Sequence, residues 1–374
     1  MISRDQLQRL IDRRANGNPI LSVFLDMSVN SDNKRTYDVF LNKRKSDFRE
    51  LSSDRDGHHR EAVGAAFARL EKWVEEEFDE ANKGLAMYME LDGDWTETIE
   101  IPLPVENRLV VDERPVVAPL VEIIERYHHH GVILVDREHL RLLSIYLDQT
   151  LHETEVRTEP YPAPHDLKRG GFSAKDFQQR KAEETRHFFK EFAAEVEAFH
   201  RKHRPDDLII LGTHENVKKF SEFLPDALRK KVVHTDRLDV GATSAEVREK
   251  LGPVFLERLE REEAEAVNLF RDRVREAHKA VSGFDDTLEQ LQEGKVETLI
   301  IARAHREPGG RCEKCGFLLA RTSGDCPYCG GTVRDGVDLV EEMIRMAEDQ
   351  DARIDFAAAP TLAEFGGVGG LLRF

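Results

Sequence analysis

The sequence predicts an α/β and α+β chain of three domains, with mixed sheets flanked by helices and a small cysteine-rich insert in the third. Three observations predict it. Short apolar runs such as Ile20-Leu21-Ser22-Val23-Phe24-Leu25 and Leu208-Ile209-Ile210-Leu211 alternate with long stretches of helical period. The length of 374 residues leaves room for two or three compact domains. All four cysteines fall between Cys312 and Cys329, the distribution of one metal site rather than of a disulfide framework.

The first segment, residues 1–127, opens with a polar helical stretch, and Ile20 to Leu25 reads as a buried strand. Two long helical patterns follow, near residues 34–51 and 58–82. Gly84 punctuates the second, and Leu85 to Leu91, Thr96 to Ile101 and Leu109 to Val111 read as strands set off by turn residues. The second segment, residues 128–262, begins with Val132 to Asp136 and Leu140 to Leu147, paired as a hairpin. A loop containing Pro and Gly leads into a helix from about Ser173 to His203. The strand Leu208 to Gly212, a helix near 215–224 and a strand at Lys231 to Val233 then give a mixed, mostly parallel sheet. Glu246 to Lys279 is helical by period, and its charges of both signs mark a solvated face. The third segment, residues 263–374, offers a helix at Thr287 to Gln292, a strand at Val296 to Ala302, the cysteine insert at 306–336, a helix from Asp338 to Asp349 and a strand at Arg353 to Ala358.

Lys and Arg total 55 against 72 Asp and Glu, a net charge of −17, which opposes sequence-blind adhesion to DNA, RNA or anionic membrane. Any RNA contact must be local. The start at Met1 to Gln6 lacks an apolar signal core, and no apolar run approaches the roughly 20 residues that span a bilayer. A cytoplasmic protein without membrane partners is expected.

Cys312-Glu313-Lys314-Cys315-Gly316 and Cys326-Pro327-Tyr328-Cys329-Gly330 are two knuckles separated by Gly316 to Asp325. Each C-x-x-C pair turns two thiolates toward one ion, and the following Gly permits the tight turn. Cys312, Cys315, Cys326 and Cys329 therefore predict a structural Zn2+ in a zinc ribbon. Four sulfurs close the coordination sphere, leaving no position for a catalytic water.

Lys168-Arg169-Gly170-Gly171-Phe172-Ser173 precedes a helix carrying Lys175, Arg180 and Lys181. Adjacent glycines expose backbone amides at a loop tip, and basic residues outnumber acidic ones there, against the trend of the chain. A second basic exception gathers Lys34, Arg35, Lys43, Arg44, Lys45 and Arg49 against Asp38 and Asp47, and helical spacing puts several of them on one face suited to an RNA backbone. His128-His129-His130 reads as a polar turn, since consecutive residues of a regular element cannot all face one ion. Asp285 and Asp286 suit a helix N-terminus.

The stretch from Arg169-Gly170-Gly171-Phe172 through Arg186-His187 resembles the GGQ loop and following helix of archaeal and eukaryotic class-one peptide release factors. Asp285 to Leu288 with Gly294 to Ile300 resembles their third domain, and Phe365 to Phe374 its glycine-rich end. Archaeal members carry a four-cysteine zinc insert at this place. The chain is identified as a bacterial, Balon-like member of the archaeo-eukaryotic class-one peptide release factor and Pelota superfamily. The resemblance covers residues 130–374, and the first segment by topology.

That resemblance implies a monomeric translation factor of the ribosomal A site, acting in hibernation or rescue. Gly170, Gly171 and Phe172 would reach the peptidyl-transferase centre. Lys168, Arg169, Lys175, Arg180 and Lys181, with Lys43, Arg44 and Lys45, would contact rRNA phosphates, and a translational GTPase would be a further partner. It implies no catalytic residue. Phe172 stands where release factors have Gln and offers no side-chain hydrogen bond to water. Gln178 and Gln179 follow at least six residues on, roughly 9 Å along a helix. Stop-codon reading is not expected either: Asn42-Lys43-Arg44-Lys45-Ser46 only loosely echoes the family's NIKS motif, and Val110 to Arg114 replaces its aromatic-cysteine element. Two other readings stay open, a peptidyl-tRNA hydrolase or tRNA-cleaving rescue enzyme using another residue near the loop, and a protein-interaction adaptor.

Overall fold

The structure, a computed structural model, describes residues 4–30, 34–51, 57–158 and 174–374, excluding side chains at 49–51, 57–60 and 174–182. They gather into two compact units, one formed by Met1–Arg126 with Arg258–Phe374, the other by Tyr127–Glu257.

The first unit begins with α1 (Arg4–Asp12), β1 (Ile20–Asp26), α2 (Tyr37–Leu51), α3 (Gly57–Glu76), β2 (Gly84–Glu90), β3 (Thr96–Ile101), β4 (Arg108–Asp112) and α4 (Ala118–Arg126). Its strands form an antiparallel sheet in the order β3-β2-β1-β4. Both faces of β1 are covered, which accounts for a continuous apolar run instead of alternation. Leu21, Val23 and Leu25 pack with Phe67 and Leu70 of α3. On the other face Phe24 meets Tyr88 edge-on at 5.9 Å. Ser22 is fully buried yet satisfied: its Oγ accepts the Val116 N–H at 3.0 Å, while the Tyr88 hydroxyl donates to the Val116 carbonyl at 2.8 Å. Helix α3 stops at Glu76, short of the expected residue 82. There the Glu100 carboxylate accepts the Asp79 N–H at 2.7 Å and the Asp79 side chain accepts that of Ala81 at 2.9 Å, taking backbone donors from the helix.

The second unit contains β5 (His130–Val135), β6 (His139–Tyr146), β7 (Gln149–Arg157), α5 (Ala174–His203), β8 (Asp207–Gly212), α6 (His214–Ser221), α7 (Asp226–Arg229), β9 (Val232–Asp236) and the start of α8 (Ser244–Arg275). The sheet order is β7-β6-β5-β8-β9. Only β5/β8 and β8/β9 are parallel, so the sheet is half antiparallel rather than mostly parallel. The reason is β7, an unanticipated edge strand whose polar residues are largely exposed and so lack the alternation of a half-buried strand. The expected hairpin β5–β6 turns on Asp136, whose carboxylate accepts the N–H groups of Glu138 and His139, each at 2.7 Å. Alternation along β5 sends Ile133 and Val135 to one face, against Phe189, Phe192 and Val196 of α5 and Phe220 of α6. Val132 and Leu134 go to the other face, against Val247 and Leu251 of α8.

The first unit resumes with β10 (Ala280–Ser282), α9 (Phe284–Gln292), β11 (Val296–Ala302), β12 (Pro308–Cys312), β13 (Leu318–Leu319), β14 (Val333–Asp338), α10 (Leu339–Asp349), β15 (Arg353–Ala357), α11 (Ala359–Leu362) and β16 (Val368–Leu372). One sheet runs β10-β16-β11-β15 and a small one runs β13-β12-β14. Asp285 and Asp286 occupy the first turn of α9, as expected. The glycine-rich end becomes β16, where close packing demands glycine: a β-carbon at Gly369 would lie 2.1 Å from Phe270 Cζ.

Within this unit α10 meets the first segment through buried charge. Glu341 accepts the N–H groups of Val117 and Ala118 at the start of α4, the latter at 2.8 Å. Arg345, 4% exposed, donates to the carbonyls of Ile11 (3.1 Å) and Pro115. Arg108 pairs with Asp338 at 3.1 Å. Burial pushes the Glu341 carboxyl up from its ordinary range, against the pull of Arg345 and the backbone donors. Among the described residues no helix is long and apolar enough to cross a membrane.

Candidate functional site

The strands β12 and β14 bring two cysteine knuckles together. In each, a backbone N–H reaches back across the C-x-x-C turn: Gly316 N–H to the Cys312 carbonyl and Gly330 N–H to that of Cys326, both at 2.9 Å. The two glycines have φ of 75° and 68°, a region costly for residues with a β-carbon, which explains the Gly after each pair. Outside the knuckles Cys312 N–H donates to Phe317 and Cys326 N–H to Gly331, at 2.9 and 2.7 Å.

The four sulfurs lie within 4.8 Å of one another. Cys312 and Cys329 are 3.4 Å apart, Cys315 and Cys326 3.7 Å. Metal–sulfur bonds of about 2.3 Å in a tetrahedron space the sulfurs by about 3.8 Å, so the quartet fits one ion. Gly331 leaves the needed room, since a β-carbon there would come 3.1 Å from Cys312 Sγ and 3.4 Å from Cys329 Sγ. The electrostatics agree. Backbone N–H groups of Cys315 and Lys314 hold the Cys312 thiol down to about 6. Cys315 receives the Phe317 amide, which acts to lower it, yet its bonds with Cys329 and the other sulfurs push it up to about 12. A second thiolate among such close sulfurs requires a cation.

The small sheet is tied to its surroundings by Gln292 of α9, whose side-chain amide donates to the Leu318 carbonyl at 3.1 Å and accepts the Leu318 N–H at 2.7 Å. Arg311 pairs with Glu342 of α10 at 2.7 Å. Its interior is slight, consisting of Cys312, Leu319, Cys326 and Val333 backed by Phe317 and Cys329. Half of those side chains are cysteines of the quartet.

Of the loop residues, Lys168, Arg169, Gly170, Gly171 and Phe172 lie outside the described residues. For Lys175, Arg180 and Lys181 only the helical backbone of α5 is described. In α2, Lys43 is exposed. Arg44 pairs with Asp47 at 3.4 Å and lies 5.4 Å from the Phe40 ring centre. Lys45 pairs with Glu71 of α3 and sits 5.6 Å from the Phe67 ring centre. The three basic residues are therefore unequal, and Lys45 is committed to joining two helices.

The triple histidine is only in part the expected polar turn, for His128 and His129 precede the strand. His130 is the first residue of β5 and is 7% exposed. Its Nδ1 lies 2.6 Å from Asp207 Oδ1, its register partner on β8, and its ring stacks on Phe255 at 4.0 Å. Burial is possible because a charge-complementary partner stands directly opposite. His129 Nε2 lies 2.6 Å from the buried Ser144 Oγ, and burial lowers its basicity. The pairing of polar residues in two strands is set by sheet register, which no local sequence signal carried.

Residues 115–254 match the family described as bacterial archaeo-eukaryotic release factor family 10, and residues 261–374 match the family described as eRF1 domain 3. The chain is similar to peptide chain release factor subunit 1 of Methanococcoides burtonii, 26% identical over 312 residues that cover 75% of this chain and 74% of the relative. The corresponding protein of Thermococcus onnurineus is 24% identical over 305 residues, 73% of each. Among solved structures, Pelota of Archaeoglobus fulgidus is 15% identical, with 78% of this chain and 79% of that chain covered and a TM-score of 0.31.

Proposed function

As a member of the archaeo-eukaryotic release factor and Pelota superfamily, this protein is, we propose, a translation factor that occupies the ribosomal A site in hibernation or rescue, without reading a stop codon or hydrolysing peptidyl-tRNA. The observation that supports the reading is the order of the two family matches, residues 115–254 followed by 261–374, with Gly170-Gly171-Phe172 inside the first. The first and third segments share one compact unit, and the middle segment forms the other. The middle one presents the loop to the peptidyl-transferase centre, and Lys168, Arg169, Lys175, Arg180 and Lys181 contact rRNA phosphates. From the first segment, Lys43 and Arg44 are better suited to that contact than Lys45, which Glu71 already neutralises.

Cys312, Cys315, Cys326 and Cys329 hold one Zn2+ as a structural ion. Zinc suits four thiolates in a tetrahedron, and its binding supplies the ribbon with folding energy that its few apolar side chains cannot. A translational GTPase is a further partner. Cosedimentation of the full chain with purified ribosomes tests the reading, with competition by A-site tRNA as the discriminating arm. Failure to pellet with ribosomes, or pelleting that A-site tRNA leaves unchanged, counts against it.

A further inference from the structure

A cavity of about 170 Å³ lies inside the first unit, bounded by the start of α4, the end of β11 and α10. Its lining is divided. Ile123 and Ile344 contribute apolar wall, whereas Arg108, His305 and Arg306 contribute cationic or proton-donating groups. Arg108 has only 10% of its side chain exposed. Its outer nitrogen is used on Asp338, but its Nε has no hydrogen-bond acceptor. A buried guanidinium N–H without a partner is costly and marks a position where an acceptor belongs. His305 Nε2 is likewise buried and without a hydrogen bond, its nearest acid being Glu307 at 3.7 Å.

The chain places His305 at some cost. Ala304 adopts φ of 54°, a left-handed conformation unfavourable for a residue with a β-carbon. Phe284 stacks on the imidazole at 5.4 Å, and the ring lies so close to Gly367 that a β-carbon there would come within 2.8 Å of it. Arg306 follows, its basicity lowered by partial desolvation and by the charges of Arg108 and Arg44, against the pull of Glu106 and Asp338. Two acids, Glu106 and Glu122, share the lining, and burial pushes the Glu122 carboxyl up, reducing its negative charge.

We propose that this cavity binds a small phosphate monoester, with the phosphate among Arg108, His305 and Arg306 and its apolar stem against Ile123 and Ile344. A phosphate oxygen supplies the acceptor that Arg108 Nε and His305 Nε2 lack, and charge-assisted bonds of this kind are the stronger ones. The apolar wall selects an organic ester over inorganic phosphate. The site is independent of ribosome binding and is tested without ribosomes.

The experiment is calorimetric titration of the full chain with phenyl phosphate and, separately, inorganic phosphate at matched ionic strength. Saturable binding of phenyl phosphate, about tenfold or more tighter than inorganic phosphate, is expected. Arg306→Gln, at an exposed side chain outside the core, should weaken it by at least about tenfold, the loss of one charge-assisted hydrogen bond. His305→Gln should weaken it as well. No saturable heat with phenyl phosphate, equal affinity for the two probes, or affinity unchanged in both variants would each overturn the proposal.

Discussion

Glu341 accepts the Ala118 N–H at 2.8 Å, so a carboxylate on α10 caps α4 from 223 residues further along the chain. Val117, which precedes α4, has no polar side chain to do so. Placing negative charge at a helix N-terminus is favourable, but here the charge is also removed from water. Glu341→Ala should therefore destabilise the first unit by about 3 kcal/mol, since it leaves buried N–H groups without an acceptor. Urea unfolding read by a probe in that unit measures it.

The same carboxyl gives a pH signature. Because burial raises its value in the folded state, the native form holds the proton more tightly than the unfolded form. Its contribution to stability is greatest at low pH and declines as pH rises from the ordinary carboxyl range of about 4 toward the folded-state value. Asp112, Glu122, Glu348 and Asp355 are raised in the same direction. The difference between wild type and Glu341→Gln isolates the one group. That difference should move against wild type with rising pH, and a difference independent of pH would exclude the assignment.

Elemental analysis of protein prepared without chelator should give about one zinc per chain. Cys315→Ser should release the metal and abolish hydrogen-exchange protection in β12 and β14, while the β5–β8 core stays protected. Metal-free protein with intact thiols and an undisturbed ribbon would contradict the zinc assignment.

Ribosome association should weaken as salt rises, because phosphate contacts displace counterions. Charge reversal at Lys168 and Arg169 should reduce cosedimentation more than reversal at Lys72 and Lys83. Lys72 lies on α3, 3.8 Å from Glu76. Equal losses from the two pairs would remove the case for a specific contact surface.

Purified protein should not accelerate peptide release from ribosomes carrying peptidyl-tRNA, whatever codon is in the A site. Phe172→Gln should restore little, because catalysis depends on positioning to a fraction of an ångström. Rapid, saturable release by wild type that disappears in Gly171→Ala would make the protein a hydrolase.

Much of the fold was legible in residues 20–25 and 208–212, whose apolar runs announce strands covered on both faces. The clustering of the four cysteines was legible too, because they and their turn glycines are local in sequence. Strand β7 was not, since an exposed edge needs no apolar alternation. Glu341 and Arg345 are spaced i,i+4, which on a helix reads as a solvent-facing ion pair. Their burial depends on Ile11, Pro115, Val117 and Ala118, to which no local pattern points. His130 was misread for the same reason, its partner Asp207 being assigned by strand register.

Because Met1–Arg126 shares one compact unit with Arg258–Phe374, the order of synthesis matters for this chain. When the first segment leaves the ribosome, the carboxylate that caps α4 and the guanidinium that holds Pro115 have not yet been made. Tyr127–Glu257 is complete earlier and has all its sheet partners within itself. The α4 N-terminus and Pro115 therefore lack their carboxylate and guanidinium partners until α10 emerges, although the β3-β2-β1-β4 sheet and its α3 cover lie wholly within the first segment.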